Sequence, residues 1–263
     1  MENINIAYIQ TDLAWEDIDT NLSKFEHLLN GIRQPVDLVV LPETFNTAFC
    51  KNIKVLAEEV DGKTTQFLIR KAKQLQTVIT GSLFIKENGA VYNRMLWVRP
   101  DGTYEYYDKK HAFIISEESK VVSSGKGLRT FELKGWKIRP FICYDLRFPC
   151  WMRNRFDSSF DYDILLCIAN WPAQRASVWH TLSLARAMEN VAYTVVVNRV
   201  GEDGCGNIYL GDSMGIDFKG EIISRAKDNH ESIEYISLDY GKLQDFRAKF
   251  PVHKDWDNFT LSN

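Results

Sequence analysis

Short runs of apolar, largely β-branched residues alternate along this chain with stretches whose apolar residues recur three and four apart. Asn5–Gln10, Leu38–Leu41, Val78–Phe84, Ile138–Ile142, Ile164–Ile168 and Thr194–Asn198 have the length and composition of strands. Between them, Trp15, Ile18, Leu22, Phe25 and Leu29 mark a helix, Thr64–Leu75 reads as a second, and Val178, Leu182, Ala185 and Met188 mark one face of a third. Asn88-Gly89 and Asp101-Gly102 are turn pairs, and they fold Val91–Val98 and Tyr104–Tyr107 into hairpins. Leu128–Leu133 returns through Lys134-Gly135, while Ser213–Asp217, Glu221–Ile223 and Ile233–Leu238 form a meander ahead of a short helix near Leu243–Lys249. Strands alternating with helices, with hairpins among them, require helices layered on a mixed sheet, an α/β fold.

Local signals set the ends of these elements. Glu16 and Asp17 fall in the first turn of the first helix, where the helix dipole favours acids, and Asn30-Gly31 stops it. Pro42 ends the second strand because it offers no N–H to the ladder. No linker, low-complexity tract or clear repeat divides the 263 residues, so the expectation is one domain over 1–263 with a polar tail from about 251.

Charge and cysteine content narrow the function. Lys+Arg number 32 and Asp+Glu 35, a net charge of −3 without a basic block, which argues against nucleic acid and membrane surfaces as partners. The N-terminus has no basic start followed by an apolar stretch, and no apolar run approaches the roughly 20 residues needed to span a bilayer. A cytoplasmic protein is expected, and Asn258-Phe259-Thr260 is discounted as a glycosylation acceptor. Cys50, Cys143, Cys150, Cys167 and Cys205 form no Cys-x-x-Cys pair, and the histidines show no metal-ligand spacing, so free thiols are expected and no metal.

Three segments place a reactive side chain just beyond a buried strand, where α/β sheets build sites. The first is Leu41-Pro42-Glu43; taken alone, Glu43 fits a solvated strand end as well as a catalytic one. The second, Tyr107-Asp108-Lys109-Lys110-His111, is a basic knot in a near-neutral chain. The third runs Arg139-Pro140-Phe141-Ile142-Cys143-Tyr144-Asp145-Leu146-Arg147-Phe148-Pro149, with Cys143 between an apolar strand and charged neighbours able to stabilise a thiolate. Cys167, inside an apolar run, fits a small buried hydrophobe better.

In this order and spacing, over nearly the whole chain, the three segments resemble the nitrilase superfamily of carbon–nitrogen hydrolases. That resemblance implies a four-layer α-β-β-α sandwich, subunits paired as a homodimer or larger assembly, and no metal or organic cofactor. It places the general base at Glu43, the transition-state stabiliser at Lys109 and the nucleophile at Cys143. A second glutamate falls on Glu118, with Glu117 beside it as the alternative. The oxyanion donors would be Lys109 and the backbone N–H of Tyr144. Tyr144-Asp145-Leu146-Arg147-Phe148-Pro149, Ala169-Asn170-Trp171-Pro172 and Ala185-Arg186-Ala187-Met188-Glu189-Asn190 resemble the bacterial omega-amidases. Such enzymes cut the terminal amide of small dicarboxylate monoamides such as 2-oxoglutaramate. A carboxylated substrate needs a cation, for which Arg147 and Arg175 are the candidates, and Trp171 would wall the pocket. Ala112 departs from the Leu that many relatives carry there.

The same three residues would serve a nitrile hydrolase or an N-carbamoyl amide hydrolase. A metabolite-binding scaffold without catalysis is a third reading, which leaves the coincidence of Glu, Lys and Cys unexplained. Gly211-Asp212-Ser213-Met214-Gly215 fits the pattern of a serine nucleophile elbow, with Asp228 and His230 following. It precedes a strand, however, where an elbow needs a helix. The glycine-rich run 201–211 lacks the spacing of a nucleotide loop and is expected to be a flexible loop near the site mouth or a subunit interface.

Overall fold

The computed structural model describes residues 1–261, so the last two residues of the expected tail lie outside the described ones. The first half of the chain gives strands β1 (Ile4–Gln10), β2 (Leu38–Val40), β3 (Glu58–Glu59), β4 (Val78–Glu87), β5 (Ala90–Val98) and β6 (Tyr104–Asp108). The second half gives β7 (Phe131–Leu133), β8 (Trp136–Ile142), β9 (Ile164–Ala169), β10 (Tyr193–Asn198), β11 (Val200–Glu202), β12 (Ile208–Leu210), β13 (Met214–Ile216), β14 (Ile222–Arg225) and β15 (Ser232–Leu238). The helices are α1 (Ile18–Asn30), α2 (Ile53–Leu56), α3 (Lys63–Leu75), α4 (Glu118–Val121), α5 (Pro149–Met152), α6 (Ala176–Asn190) and α7 (Tyr240–Lys249).

Two sheets share one plan. The first runs β15-β1-β2-β4-β5-β6, with β3 beside β4, and the second β14-β13-β10-β9-β8-β7. Each has a parallel centre: β1, β2 and β4 in one, with Ile6 opposite Leu38 and Leu38 opposite Val78; β8, β9 and β10 in the other, with Ile164 facing both Ile138 and Tyr193. Parallel strands have both faces covered, which is why these runs read as continuously apolar.

The strands alternate their side chains between two cores. Ile4, Ile6, Tyr8, Val40, Met95 and Trp97 of the first sheet join Phe131, Ile138, Ile142, Leu166 and Val196 of the second in one cluster, where Trp97 stacks on Phe131 with centroids 4.9 Å apart. On the outer face of the first sheet, Ala7, Ile9, Val39, Ile79 and Leu96 receive Leu22, Phe25 and Leu29 of α1 and Phe67, Leu68 and Ala72 of α3. Trp179 and Ala187 of α6 and Leu243 of α7 pack on the second sheet. The order is helices, sheet, sheet, helices, the four-layer sandwich.

Several element ends differ from the sequence expectation. Helix α1 begins at Ile18, not Trp15: Asp17 is its N-cap, accepting from the Thr20 N–H at 3.0 Å, and Glu16 stands outside at φ +56. Gly31 caps the other end in a right-handed conformation, φ −83, so Gly is not required there for its backbone freedom. Strand β7 starts at Phe131 rather than Leu128. The buried stripe of α6 is Trp179, Ser183, Arg186, Ala187 and Asn190, while Met188 is 49% exposed. Apolar periodicity misassigned this face because its polar side chains have internal partners. Arg186 Nη2 donates to Leu146 O (2.8 Å), Ser183 Oγ to Trp179 O (2.7 Å), and Asn190 Oδ1 accepts from Asn154 N (2.8 Å).

Candidate active site

Three strand ends deliver the site. Beyond β2 the chain stays on the first sheet, Leu41 N donating to Thr80 O (2.8 Å), and Thr44 at φ +41 turns it away with Glu43 fully buried. Gly81 of β4 makes room for this turn: a Cβ there would lie 2.9 Å from Leu41 Cβ and 3.0 Å from the Phe45 ring. Lys109 follows β6, and its N–H donates to Asn93 O of β5 at 2.9 Å. Cys143 follows β8 and opens a 3-10 turn, Cys143–Arg147, at φ +46, a strained conformation for a non-glycine residue.

One buried cluster joins the first two strand ends to α4. Lys109 Nζ lies 2.9 Å from Glu43 Oε1 and 2.9 Å and 3.0 Å from the two oxygens of Glu118. Asn93 Nδ2 donates to Glu43 Oε1 (2.9 Å) and Glu118 Oε1 (3.0 Å). The remaining oxygens take backbone N–H groups: Glu43 Oε2 that of Asn170 (2.7 Å) and Glu118 Oε2 that of Phe113 (2.7 Å). Glu118, not Glu117, therefore faces Lys109; Glu117 is at the cavity rim and pairs with Lys120. Burial works against the charge of Lys109, but Glu118 and Glu43 outweigh it and hold the ammonium protonated well above its usual range. Burial pushes Glu118 up, with Lys109 pulling the other way.

Cys143 faces this cluster from the other sheet, with Sγ 3.9 Å from Asn170 O. The thiol is not the stabilised thiolate that its charged neighbours suggest. Burial, then Glu43, push it well up, and Lys109 does not compensate. At neutral pH it needs a base. The turn is anchored by buried Asp145, which accepts from Ile142 N (3.1 Å), Tyr107 OH (2.7 Å) and His111 N (3.1 Å), with His111 Nδ1 at 2.7 Å. Tyr107 and His111 flank Lys109, so one carboxylate ties the cysteine turn to the lysine strand end.

A cavity of about 340 Å³ opens above Cys143. Tyr144, Arg147, Trp171 and Arg175 all line it. Arg147 lies over Trp171 (5.3 Å to the ring centroid) and Arg175 over Phe113 (5.1 Å). Trp171 is also a structural piece, its N–H bonded to Asn198 Oδ1 (2.8 Å) and its indole to Arg175 O (2.8 Å). Sequence reasoning did not single out Asn93, Asn170, Phe49, Lys51, Asp203 or Tyr209 as site residues. Only Asn170, inside Ala-Asn-Trp-Pro, carried a signal. The glycine-rich run is not a plain loop but the β11–β12 hairpin. Asp203 binds it together, accepting from Cys205 N (2.8 Å), Asn207 N (3.0 Å), Asn207 Nδ2 (2.9 Å) and Tyr209 OH (2.8 Å).

Other sequence candidates are accounted for elsewhere. Ser213 is fully buried, its Oγ accepting from Asn198 N (2.9 Å) and donating to Asn198 O (3.1 Å), so the elbow pattern holds a strand, not a nucleophile. Glu189 pairs with Arg186 (2.8 Å). Cys167 is buried within β9, and Cys150 is exposed away from the cavity lining. Among the described residues no helix is long and apolar enough to cross a membrane.

Two facing sheets flanked by helices, with this cluster at their strand ends, define an enzyme of the nitrilase type. Yeast Nit3, a nitrilase-superfamily member, has the same fold at a TM-score of 0.81 and 24% identity, over 95% of either chain. Residues 5–248 match the carbon–nitrogen hydrolase family model, and the chain belongs to that family. It is 39% identical to omega-amidase YafV of Escherichia coli K12, over 99% of this chain and 100% of the relative. To 2-oxoglutaramate amidase of Bacillus subtilis it is 30% identical, over 95% and 96%. The crystal structure of XC1258 from Xanthomonas campestris, a CN-hydrolase superfamily protein with an arsenic adduct in the active site, superposes at a TM-score of 0.97 with 39% identity, covering all of both chains. This chain is accordingly a hydrolase of non-peptide carbon–nitrogen amide bonds.

Proposed function

We propose that the protein hydrolyses the terminal amide of small dicarboxylate monoamides, of the 2-oxoglutaramate and succinamate type, through a thioester on Cys143. The observation that carries the reading is the contrast along one cavity: a mutually bonded Glu43–Lys109–Glu118 cluster beside Cys143 at the floor, and arginines with no carboxylate partner among the described residues above it. Relatives named for omega-amidase and 2-oxoglutaramate amidase activity support the same substrate class.

The chemistry follows from the charges. Glu43 takes the proton of Cys143 as sulfur attacks the amide carbon, which suits a thiol that burial keeps neutral. The tetrahedral oxyanion is met by the Lys109 ammonium, held by Glu43 and Glu118, and by the Tyr144 N–H. Glu43 returns the proton to nitrogen, the C–N bond breaks and ammonia leaves. Water, deprotonated by Glu43, then attacks the thioester; the C–S bond breaks, and Glu43 returns the proton to sulfur, releasing the acid and restoring the thiol. Glu118, bonded to Lys109 and through Asn93 linked to Glu43, holds the base and the ammonium in register. Arg147 and Arg175 hold the distal carboxylate, and Trp171 forms the wall beneath Arg147.

The test is ammonia release from 2-oxoglutaramate and succinamate beside a neutral aliphatic amide, a nitrile and an N-carbamoyl amino acid, with Cys143→Ala as the blank. Turnover of the carboxylated amides that drops by about 10⁴-fold or more in Cys143→Ala is expected. Equal turnover of the neutral amide would remove the carboxylate from the reading, and activity retained in Cys143→Ala would remove the thioester.

A further inference from the structure

The cavity mouth has two lips, and a dipeptide outside the cavity holds both. One lip is Phe49-Cys50-Lys51 and the other the hairpin from Asp203 to Tyr209. Glu16 Oε1 accepts the backbone N–H groups of Lys51 (2.9 Å) and Asn52 (3.0 Å), Oε2 the Asn52 side-chain amide (2.5 Å), and its own N–H donates to Thr47 O (3.0 Å). Trp15, next to it, presses on the hairpin so closely that a Cβ on Gly204 would lie 2.5 Å from the indole ring. Trp15-Glu16 thus sets the lips against each other.

Lys51 lines the cavity and is exposed. Its backbone is fixed by Glu16, yet its ammonium has no carboxylate within 4.0 Å among the described residues, and neither Arg147 nor Arg175 has one. The three cations come from different segments: Lys51 after β2 of the first sheet, the arginines after β8 and β9 of the second. The guanidinium groups lie over Trp171 and Phe113, while the ammonium is a compact charge on a flexible stem. Asp203, the buried carboxylate on the far lip, is bonded to its own hairpin by four hydrogen bonds and makes no ion pair with these cations among the described residues.

We propose that Lys51 is a specificity-determining residue, its ammonium closing on the anionic end of the substrate from the wall that does not carry Arg147 and Arg175. This rests on the carboxylated-amide reading above and deepens it. Selection of anionic over neutral amides is then shared by three cations, one of them on a lip that Glu16 fastens from outside.

The experiment measures kcat/KM for succinamate and for butyramide, a neutral amide of equal chain length, in the unsubstituted enzyme and in Lys51→Met, Lys51→Arg and Lys51→Glu. The succinamate-to-butyramide ratio is expected to fall about tenfold in Lys51→Met, chiefly through KM, as for loss of one charged hydrogen bond. It should fall further in Lys51→Glu and return in Lys51→Arg, and added salt should shrink the differences. A purely structural lip residue would lower both substrates together and leave the ratio intact, and that result overturns the proposal. An unsubstituted enzyme without preference for succinamate overturns the carboxylated-amide reading and Lys51 with it. A preference that survives Lys51→Met overturns Lys51 alone.

Discussion

At the floor of the cavity all four oxygens of Glu43 and Glu118 have partners, with Lys109 and Asn93 bridging the two carboxylates. At the mouth, Lys51, Arg147 and Arg175 pair with no carboxylate among the described residues, and the arginines rest on aromatic rings. The floor's carboxylates and ammonium bind one another, so its charges are held in place before substrate arrives. On the proposed reading, an anionic ligand completes the mouth. In the proposed mechanism the cluster runs the chemistry, and the rim decides which amide is brought to it.

The comparison breaks most visibly at Lys109. Lys109→Met should lower kcat by about 10²–10³-fold by removing an oxyanion donor. It should also destabilise the fold by about 3–5 kcal/mol, because two buried carboxylates lose their counter-charge. Thermal unfolding beside turnover checks this, and a variant with normal stability would mean that the cluster is not charged as drawn. The alkaline limb follows from the same residue. Its folded value is raised, so its contribution is fully present below the ordinary lysine value of 10.5 and is lost as pH rises through the folded value. Unfolding in alkali should therefore flatten in Lys109→Met.

The thiol sharpens the contrast. Because Cys143 is pushed up, it stays protonated below the ordinary thiol value of 9.0, and its thiolate forms only as pH rises beyond that. Iodoacetamide at neutral pH should thus modify exposed Cys150 and Cys205 ahead of Cys143, read by peptide mass mapping. Fastest labelling of Cys143 would mean a resting thiolate that needs no base.

Effects at the mouth should be smaller and selective. Arg175→Ala is expected to cost carboxylated amides about tenfold more than neutral ones, and equal losses would reassign Arg175 to packing against Phe113. Lys110→Ala marks the lower end. Its ammonium lies over Trp151, 5.3 Å from the ring centroid and outside the cavity lining, so turnover should stay within about twofold, the size of a surface change near 0.5 kcal/mol. A large loss there with Lys109→Met mild would shift the lysine by one position.

The same division governs what the sequence disclosed. Glu43 and Cys143 each stand directly after an apolar strand run and Lys109 directly after β6, so short motifs expose them; most strands could be read from their residues, but their division between two sheets came only with the resemblance. Asn93 could not, because its place arises only when β5 pairs with β6 and carries Lys109 N onto Asn93 O. The choice between Glu117 and Glu118 depends on the short helix α4, which periodicity cannot phase. Lys51 was an ordinary surface lysine until Glu16, outside the helix it had been assigned to, proved to fasten its backbone. The inner face of α6 was misread for a related reason: Arg186 and Asn190 are polar by type but buried by partnership.

The division of the site between two sheets has a consequence for how the protein can fail. Glu43 is carried by the first sheet and Cys143 by the second, and the Glu43 carboxylate reaches across to Asn170 N at 2.7 Å. That bond works as a rivet between the halves. A chain with one sheet formed and the other loose owns a carboxylate or a thiol, never the pair, so misassembled molecules are silent rather than indiscriminate. If turnover needs that pair, as proposed, it counts docked sandwiches and should vanish during unfolding before either sheet loses its own strands.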